Sequence, residues 1–281
     1  MQKNIILYPN PERDRNYTVT LQAAALLRDQ GFDCVCMDAA PAPGLPVLPA
    51  AKAFPGALCA LCFGGDGTLL RCAKMAVGYG VPVLGVNMGH TGFLTQVSPD
   101  GLDELKLFTA GRFTVQERMM LDAALIKGEK TLSIEPSVND IVISRGMTVQ
   151  TISLDIETGG HRLGSFLGDG VIISPATGST GYALSSGGPV IDPDVDALLV
   201  TPICAHTSYA HAFVLSPGRV LRVIATHAGH RDTFLSVDGG PPRKINPGEI
   251  VEASRSQSVM RMLVLEGHTF FDNVRTRIHR M

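Results

Sequence analysis

Two hydrophobic periodicities alternate through the first 108 residues, and this alternation limits the fold more than any other feature of the sequence. Continuous apolar runs predict strands, and amphipathic runs predict helices. The strands are predicted at 4–8, 32–37, 57–63 and 81–86, and the helices at about 17–30 and 68–77. Ser98 and Pro99 are typical of the start of a further helix. Strands separated by helices favour a parallel sheet with helices on its faces.

From about residue 113 the pattern changes to short strands separated by turn signals. The predicted strands lie in "TLSI", "NDIVIS", "TVQTISLDIETGG", "GVIIS", "RVLRVIAT", "TFLSVDGG", "EIVEAS" and "VMRMLVLEG". One helix is predicted near 180–187, and the proline-rich stretch 40–56 is predicted to be a loop. The sequence therefore predicts an α/β N-terminal domain with a parallel sheet and an all-β, sandwich-like C-terminal domain.

The net charge and the cysteines indicate which partners and which cell compartment to expect. The 24 basic and 26 acidic residues nearly balance, so no overall field would attract nucleic acid or an anionic membrane. The sequence shows no membrane-span or signal-peptide pattern, and we expect a cytoplasmic protein. Cys59 and Cys62 form a C-x-x-C, but on a strand their side chains diverge, so the six cysteines are expected to be reduced and buried.

The stretch "LCFGGDGTLL" (61–70) combines an apolar strand with three glycines around Asp66. Ligands bind at the carboxyl ends of such strands, and we expect Gly64, Gly65 and Gly67 to adopt positive φ angles and to approach a ligand closely. Thr68 is predicted to cap the next helix, whose N-terminus favours phosphate, as does Arg71. A carboxylate in an anion-binding loop indicates phosphoryl transfer, whereas the alternative is a glycine turn with a capping Asp.

Five later segments also place small, amide or hydroxyl residues on loops beside strands. They are "GVNMGHTGFL" (85–94), "VNDIVISRG" (138–146), "GDGVIISPATGSTGYALSSGGPVIDP" (168–193), "TPICAHTSYAHAFVLSP" (201–217) and "SVDGG" (236–240). Such loops hold polar ligands. In this order, and over nearly the whole chain, the motifs resemble the NAD kinase family; "GGDGT" alone is shared with lipid kinases and phosphofructokinase-like enzymes.

The resemblance implies a kinase that transfers a phosphoryl group from ATP or polyphosphate to the 2′-hydroxyl of the adenosine ribose of NAD, giving NADP. It also implies a divalent cation, most simply Mg²⁺, and a homodimer or homotetramer. The implied organisation is an α/β domain at 1–108, a β-rich NAD-binding domain at 109–264, and a tail at 265–281 that returns to the first domain. In this family the site lies between the two domains.

Matched positions also imply roles for individual residues. Asp66 corresponds to the catalytic carboxylate, Asn139 and Asp140 to a pair that binds NAD hydroxyls, and Asp169 to a carboxylate near the nicotinamide amide. The remaining substrate-binding positions are Gly67, Arg71, Asn87, His90, Phe93, Thr180, Gly181, Tyr182 and Ser185.

The residues themselves leave simpler interpretations open for four of these positions. Asn139 and Asp140 could form a turn, Thr180 a helix cap, and Tyr182 a half-buried packing residue. Two positions depart from the family pattern: Gly181 usually corresponds to Ala, so Ala is expected to be tolerated there, and Leu167 often corresponds to a basic residue.

Two other functions remain as alternatives. A lipid or sphingoid kinase would share "GGDGT" but would need an apolar groove for an acyl chain. A non-catalytic module that senses NAD would tolerate the loss of Asp66, which this sequence retains. The polar groups of the second half favour a nucleotide kinase.

Overall fold

A computed structural model describes residues 4–88, 92–147, 150–206, 211–226 and 232–278. The chain divides into two compact units. Unit 1 contains residues 1–117 and 260–281, and unit 2 contains residues 118–259. The division falls within two long strands, whereas the sequence analysis places the boundaries at 108 and 264.

Unit 1 contains a parallel sheet. Its strands are β1 (Asn4–Pro9), β2 (Asp33–Met37), β3 (Val47–Leu48), β4 (Ala57–Gly64), β5 (Val83–Asn87) and β6 (Thr95–Val97). The main order is β5-β4-β1-β2-β3, and β6 pairs with β5. Leu61 of β4 lies beside Leu7 of β1 and Leu84 of β5, and all three side chains are fully buried. Because these strands are parallel, their carboxyl ends lie at one edge of the sheet, where ligands of such sheets bind.

The helices of unit 1 connect these strands or follow them. They are α1 (Thr18–Asp29), α2 (Ala50–Ala53), α3 (Asp66–Val77), α4 (Leu105–Thr109) and, at the end of the chain, α6 (Phe270–Ile278). Two 3₁₀ helices, at Arg15–Tyr17 and Pro99–Glu104, lead into α1 and α4. The buried carboxylate of Asp14 accepts hydrogen bonds from the backbone N–H groups of Val19 (3.1 Å) and Thr20 (2.9 Å), and so satisfies donors in the first turn of α1. The predicted alternation of strands and helices is confirmed.

The prediction of a loop over 40–56 is wrong in part. The short strand β3 and the single-turn helix α2 lie within this stretch, and the side chains of Ala53 and Phe54 are fully buried. Pro49 precedes α2 with an extended backbone, which is a position that proline tolerates. Proline content therefore misled the prediction because prolines here flank the elements.

Unit 2 is built from antiparallel strands. They are β7 (Phe113–Lys127), β8 (Lys130–Ser137), β9 (Ile141–Arg145), β10 (Ile152–Thr158), β11 (His161–Gly168), β12 (Gly170–Ser174), β13 (Leu198–Ile203), β14 (Phe213–Leu215), β15 (Leu221–Ala225), β16 (Thr233–Val237), β17 (Arg243–Ile245) and β18 (Ile250–Leu265). Strands β7 and β18 each contribute residues to both units. The only helices described in this unit are a 3₁₀ helix at Thr177–Thr180 and α5 (Tyr182–Ser185).

Two layers of strands form the core of unit 2. One has the order β11-β10-β15-β18 and the other β14-β13-β12-β9-β16-β17. Buried side chains from both layers, such as Ile156, Val223, Ile143 and Leu235, belong to one apolar cluster. The predicted antiparallel, sandwich-like domain is confirmed.

One detail of this domain is wrong in the prediction. "EIVEAS" and "VMRMLVLEG" form the single strand β18 of 16 residues. The polar stretch 255–258 between them suggested a break, but Ser256 is buried within the strand and its Oγ accepts a hydrogen bond from the N–H of Ser258 (3.1 Å).

Five of the six cysteines are buried and unpaired, as expected, but Cys204 is exposed. Burial raises the pKa of the Cys34 thiol to about 11, so this thiol stays protonated. Within the described part of the chain, no helix is both long enough and apolar enough to span a membrane.

Candidate active site

Asp66 is the first residue of α3 and directly follows the glycine pair at the end of β4. Its Oδ2 accepts a hydrogen bond from the N–H of Phe93 (2.8 Å), and its Oδ1 accepts one from the N–H of Leu94 (3.1 Å). The Nη1 atom of Arg277 lies 4.0 Å from Oδ2. Two backbone donors therefore fix the orientation of this carboxylate, and a cation lies beside it.

The glycines around Asp66 do not have the positive φ angles that the sequence analysis predicts for them. A Cβ atom at Gly64 would lie 2.6 Å from the Cβ atom of Thr68, so close packing requires glycine there. A Cβ atom at Gly65 or Gly67 would meet nothing within 4 Å. The space beside these two glycines is therefore open, and their backbone is not in the left-handed region.

The predicted capping role of Thr68 is also wrong. α3 begins two residues earlier, at Asp66, and Thr68 lies buried in its first turn. The hydroxyl Oγ1 of Thr68 accepts a hydrogen bond from Nδ2 of Asn10 (3.0 Å). Thr68 therefore connects α3 to the end of β1.

The contrast between Gly64 and Gly65 gives a prediction. We expect Gly64→Ala to lower the free energy of unfolding by about 1–3 kcal/mol, because the added methyl group overlaps Thr68. Gly65→Ala should leave stability nearly unchanged. Thermal melts of the two variants check this, and equal melting temperatures would contradict the packing described for Gly64.

A cavity of about 290 Å³ opens beside this loop, at the carboxyl ends of β1, β4 and β5. Its lining consists mainly of polar side chains and glycines: Asn10, Glu12, Arg13, Gly65, Gly67, Thr68, Arg71, Asn87 and Met88. The Oδ1 atom of Asn87 is buried and makes no hydrogen bond within the described residues. Two arginines and the N-terminus of a 12-residue helix make this cavity suitable for phosphate.

The cavity and its margin bring together most of the residues predicted for unit 1. Gly67, Arg71 and Asn87 line it, and Phe93 is bound to Asp66 through its backbone. His90 lies outside the described residues. Arg13 was missed, although it follows β1 at the same edge of the sheet as the glycine loop, where ligands of parallel sheets bind.

In unit 2, Asn139 and Asp140 lie in a loop that is held by Asp238. The carboxylate of Asp238 accepts hydrogen bonds from the N–H groups of Val138 (3.0 Å), Asn139 (2.7 Å) and Asp140 (3.0 Å), and from Oγ of Ser137 (2.8 Å). Asp238 has a φ angle of 49° and donates its own N–H to the carbonyl oxygen of Asp140 (2.9 Å). The loop is therefore a bend before β9 whose backbone is fixed by a distant carboxylate.

The side chains of Asn139 and Asp140 contact each other. Nδ2 of Asn139 donates to Oδ2 of Asp140 (2.7 Å). Burial and, to a smaller extent, the charge of Asp238 raise the pKa of Asp140, and the hydrogen bond from Asn139 opposes both effects; the resulting pKa is about 6. A carboxyl group with this pKa changes charge in the mildly acidic range.

The segment 177–185 packs against Asn139. A Cβ atom at Gly178 would overlap the carbonyl oxygen of Asn139, and one at Gly181 would lie 2.7 Å from its Nδ2 atom. The φ angle of Gly181 is negative, at −92°, but a Cβ atom there would require the amide of Asn139 to move. The expectation that Ala is simply tolerated at Gly181 therefore needs this correction.

The other predicted residues of this segment have different surroundings. Oγ1 of Thr180 donates to the carbonyl oxygen of Thr177 (3.2 Å), and Gly181 rather than Thr180 is the N-cap residue of α5. Tyr182 is 47% exposed, and Ser185 is also exposed. About half of the Tyr182 side chain is therefore buried, and the other half is accessible to solvent.

Asp169 forms an ion pair with Arg145, with 2.6 Å between Oδ1 and Nε. The N–H of Arg145 also donates to the carbonyl oxygen of Asp169 (2.9 Å). This contact follows from the register of β9 and β12, which pairs Ser144 with Gly170. Sequence analysis missed Arg145, and it also assigned no role to Asp238 although "SVDGG" was recognised as a motif.

Comparison with known proteins identifies the family of this chain. Residues 13–109 match the family model described as the ATP-NAD kinase N-terminal domain, and residues 138–265 match the ATP-NAD kinase C-terminal domain. The NAD kinase of Symbiobacterium thermophilum is 42% identical over 216 residues, 76% of each chain. The NAD kinase of Acetivibrio thermocellus is 38% identical over 220 residues, 78% of this chain and 76% of that protein.

Two solved structures have the same fold. The crystal structure of yeast NADH kinase complexed with NADH has a TM-score of 0.83 at 24% identity, and covers 98% of this chain and 86% of that one. The structure of an NAD kinase from Archaeoglobus fulgidus in complex with ATP has a TM-score of 0.75 at 21% identity, and covers 100% of both chains. On the evidence of the two matched domains and the bacterial relatives, this chain belongs to the ATP-NAD kinase family.

Proposed function

We propose that this protein transfers the γ-phosphoryl group of ATP to the 2′-hydroxyl group of the adenosine ribose of NAD, giving NADP and ADP. The observation that best supports this function is the carboxylate of Asp66, which is oriented by two N–H groups beside a cavity that contains two arginines. Family membership supplies the identity of the two substrates.

In the reaction, the ribose 2′-oxygen forms a bond to the γ-phosphorus, and the bond from that phosphorus to the β–γ bridging oxygen breaks. The electron pair of the broken bond leaves with ADP, and Asp66 accepts the proton of the hydroxyl group. Such transfers pass through a loose transition state, so positioning and charge stabilisation provide most of the catalysis. The fixed orientation of the Asp66 carboxylate suits the first requirement.

We assign the donor to the 290 Å³ cavity of unit 1. Arg13 and Arg71 supply charge for the ATP phosphates, and Gly65 and Gly67 leave space for them. The buried Oδ1 atom of Asn87 would gain a hydrogen-bond donor from the bound substrates. Polyphosphate offers similar phosphate groups, so it is the donor to compare with ATP.

We assign NAD recognition mainly to unit 2. Asn139 and Asp140 bind ribose hydroxyls, and Asp169, oriented by Arg145, accepts from the nicotinamide amide. Thr180, Gly181, Tyr182 and Ser185 provide the wall for the adenine and ribose, and the exposed ring of Tyr182 offers a stacking surface. In unit 1, we also assign Phe93 to the NAD site, because its backbone N–H orients the Asp66 carboxylate that accepts the proton of the NAD hydroxyl group.

A divalent cation, most simply Mg²⁺, is part of the proposal. Among the residues that the structure describes, no group of three or more His, Cys, Asp or Glu side chains could hold a metal ion. This does not fit a resident metal site. It agrees with an ion that enters with ATP, because Mg²⁺ in such enzymes is bound largely by phosphates and water. We assign no residue to it.

The raised pKa of Asp140 gives a prediction about pH. Ribose hydroxyls donate best to an ionised carboxylate, so NAD affinity should fall about tenfold per unit as pH decreases below about 6. Asp140→Asn should abolish this dependence and bind NAD weakly at every pH. Calorimetric NAD titrations check this between about pH 5 and 8, a range that includes the pKa of Asp140. An affinity that stays constant over the range would contradict the role of Asp140.

Stability should change in the opposite direction. The folded-state pKa of Asp140 lies above its ordinary value of 3.8, so the folded protein binds this proton more tightly than the unfolded chain does. The resulting stabilisation is complete below about pH 4 and is lost as pH rises through about 6. Comparing melts of the wild type and Asp140→Asn over this range isolates the contribution.

We also propose that the protein acts in the cytoplasm as a homodimer or homotetramer. The five buried, unpaired cysteines suit a reducing compartment. Exposed apolar side chains such as Leu132, Leu167 and Val214 suit a surface that another copy covers. Light scattering of the purified protein measures the number of subunits, and a monomer would contradict this assembly.

Comparison of acceptors tests the proposed function against the lipid-kinase alternative. The protein is incubated with ATP and Mg²⁺, and release of ADP is measured with NAD, with sphingosine and with diacylglycerol as the acceptor. In a parallel reaction, polyphosphate replaces ATP, and formation of NADP from NAD is measured. Of the three acceptors, we expect only NAD to stimulate ADP release. Stimulation by a lipid but not by NAD would overturn the proposal, and binding of NAD without turnover would favour the sensing module.

A further inference from the structure

The C-terminal helix α6 (Phe270–Ile278) is bonded to the segment that holds Asp66. Nδ2 of Asn273 donates to the carbonyl oxygens of Phe93 (3.1 Å) and Thr95 (3.3 Å). The N–H groups of this same segment, at Phe93 and Leu94, bind Asp66. The tail is therefore connected to the candidate base through one short stretch of backbone.

Arg277, in the last turn of α6, lies beside both Phe93 and Asp66. The Cζ atom of its guanidinium is 4.6 Å from the centre of the Phe93 ring, and its Nη1 atom is 4.0 Å from Oδ2 of Asp66. A guanidinium group carries five N–H donors, and the ion pair with Asp66 is made through Nη1. The side chain is 39% exposed, so a substrate can reach it.

We propose that Arg277 is a further catalytic residue, which contacts the transferring phosphoryl group and stabilises its charge. This inference rests on the proposed function. Before transfer, the guanidinium lies beside the negative charge of Asp66. When Asp66 accepts the hydroxyl proton, that charge disappears, and the phosphoryl oxygens become the negative partner of Arg277. Stabilisation that strengthens in the transition state accelerates the reaction.

A purely structural ion pair is the alternative. The 4.0 Å separation and the exposure of both side chains predict little contribution to stability from such a pair. Asn273 already provides two hydrogen bonds between α6 and the 93–95 segment. The two interpretations therefore differ in whether loss of Arg277 affects turnover or melting temperature.

Three variants separate these interpretations: Arg277→Met, Arg277→Lys and, as a matched control, Arg275→Met. Arg275 lies on the same helix, is 73% exposed and pairs with Asp272 at 3.6 Å, so its replacement removes the same charge elsewhere on α6. The measured quantities are kcat, KM for NAD and for ATP, and melting temperature.

We expect Arg277→Met to lower kcat about 10²-fold, with KM for NAD and melting temperature nearly unchanged. Arg277→Lys should recover part of the loss because it keeps the charge, and Arg275→Met should match the wild type. A kcat of Arg277→Met within twofold of the wild type, or an equal loss in Arg275→Met, would overturn the inference. If Arg277→Met fails to fold, a wild-type kcat in Arg277→Lys would overturn it as well.

The same measurements distinguish failure of this inference from failure of the proposed function. If the wild type forms no NADP, both are wrong. If the wild type forms NADP and Arg277→Met forms it equally fast, only the role of Arg277 is wrong.

Discussion

Asp66→Asn is expected to lower kcat by roughly 10²–10⁴-fold, the usual range for loss of a general base. The amide has nearly the shape of the carboxylate but cannot accept the proton of the ribose hydroxyl group. NAD affinity should change little, because the residues assigned to NAD are mainly those of unit 2. Turnover and calorimetric NAD binding of this one variant check both statements.

The hydrogen bonds of Asp66 define the control for this experiment. Its two carboxylate oxygens accept from the N–H groups of Phe93 and Leu94, and an amide oxygen can keep only one of these bonds well. A small fall in melting temperature is therefore expected. Near-normal turnover would eliminate the catalytic role, and a collapsed melting temperature with proportionally lost activity would make Asp66 a structural residue.

Asn139→Ala is expected to lower kcat/KM for NAD by about 1–3 kcal/mol, roughly 5- to 150-fold. The variant loses the amide that we assign to a ribose hydroxyl. It also loses the hydrogen bond to Asp140, which opposes the upward shift in the pKa of that carboxyl group. More of Asp140 would then be protonated near neutral pH. Steady-state kinetics with varied NAD measures the combined effect.

Stability should be affected far less than kinetics in this variant, because the backbone N–H of residue 139 can still donate to Asp238. Asn246→Ala serves as the control: Asn246 is an exposed residue of the same unit that bonds to Glu249. We expect normal kinetics from it. Unchanged kinetics in Asn139→Ala together with a large loss of stability would support a turn residue instead.

Local sequence patterns sufficed for the elements that surround Asp66. The apolar run before Gly64 predicts a buried strand, and the periodicity after it predicts a helix; the structure contains both. The start of α3 was misplaced: the helix begins at Asp66 rather than near Thr68, and Thr68 bonds to Asn10 instead of capping it. Short-range signals located the loop but not its contacts.

The contacts that orient the site residues come from parts of the chain that are distant in sequence. Asp238 binds the loop of Asn139 and Asp140 about 100 residues away, and Arg145 reaches Asp169 only because β9 and β12 pair in one register. A side-chain contact of this range has no local sequence signal. Arg277 was missed for the same reason, although the tail itself was recognised.

Formation of NADP by the purified protein tests the central claim most directly. The protein is incubated with NAD, ATP and Mg²⁺, and the product is measured with a dehydrogenase that accepts NADP and not NAD. The account predicts NADP that accumulates with time and requires both ATP and NAD, and almost none with Asp66→Asn. No NADP from the wild type under these conditions, or equal NADP from Asp66→Asn, would contradict it.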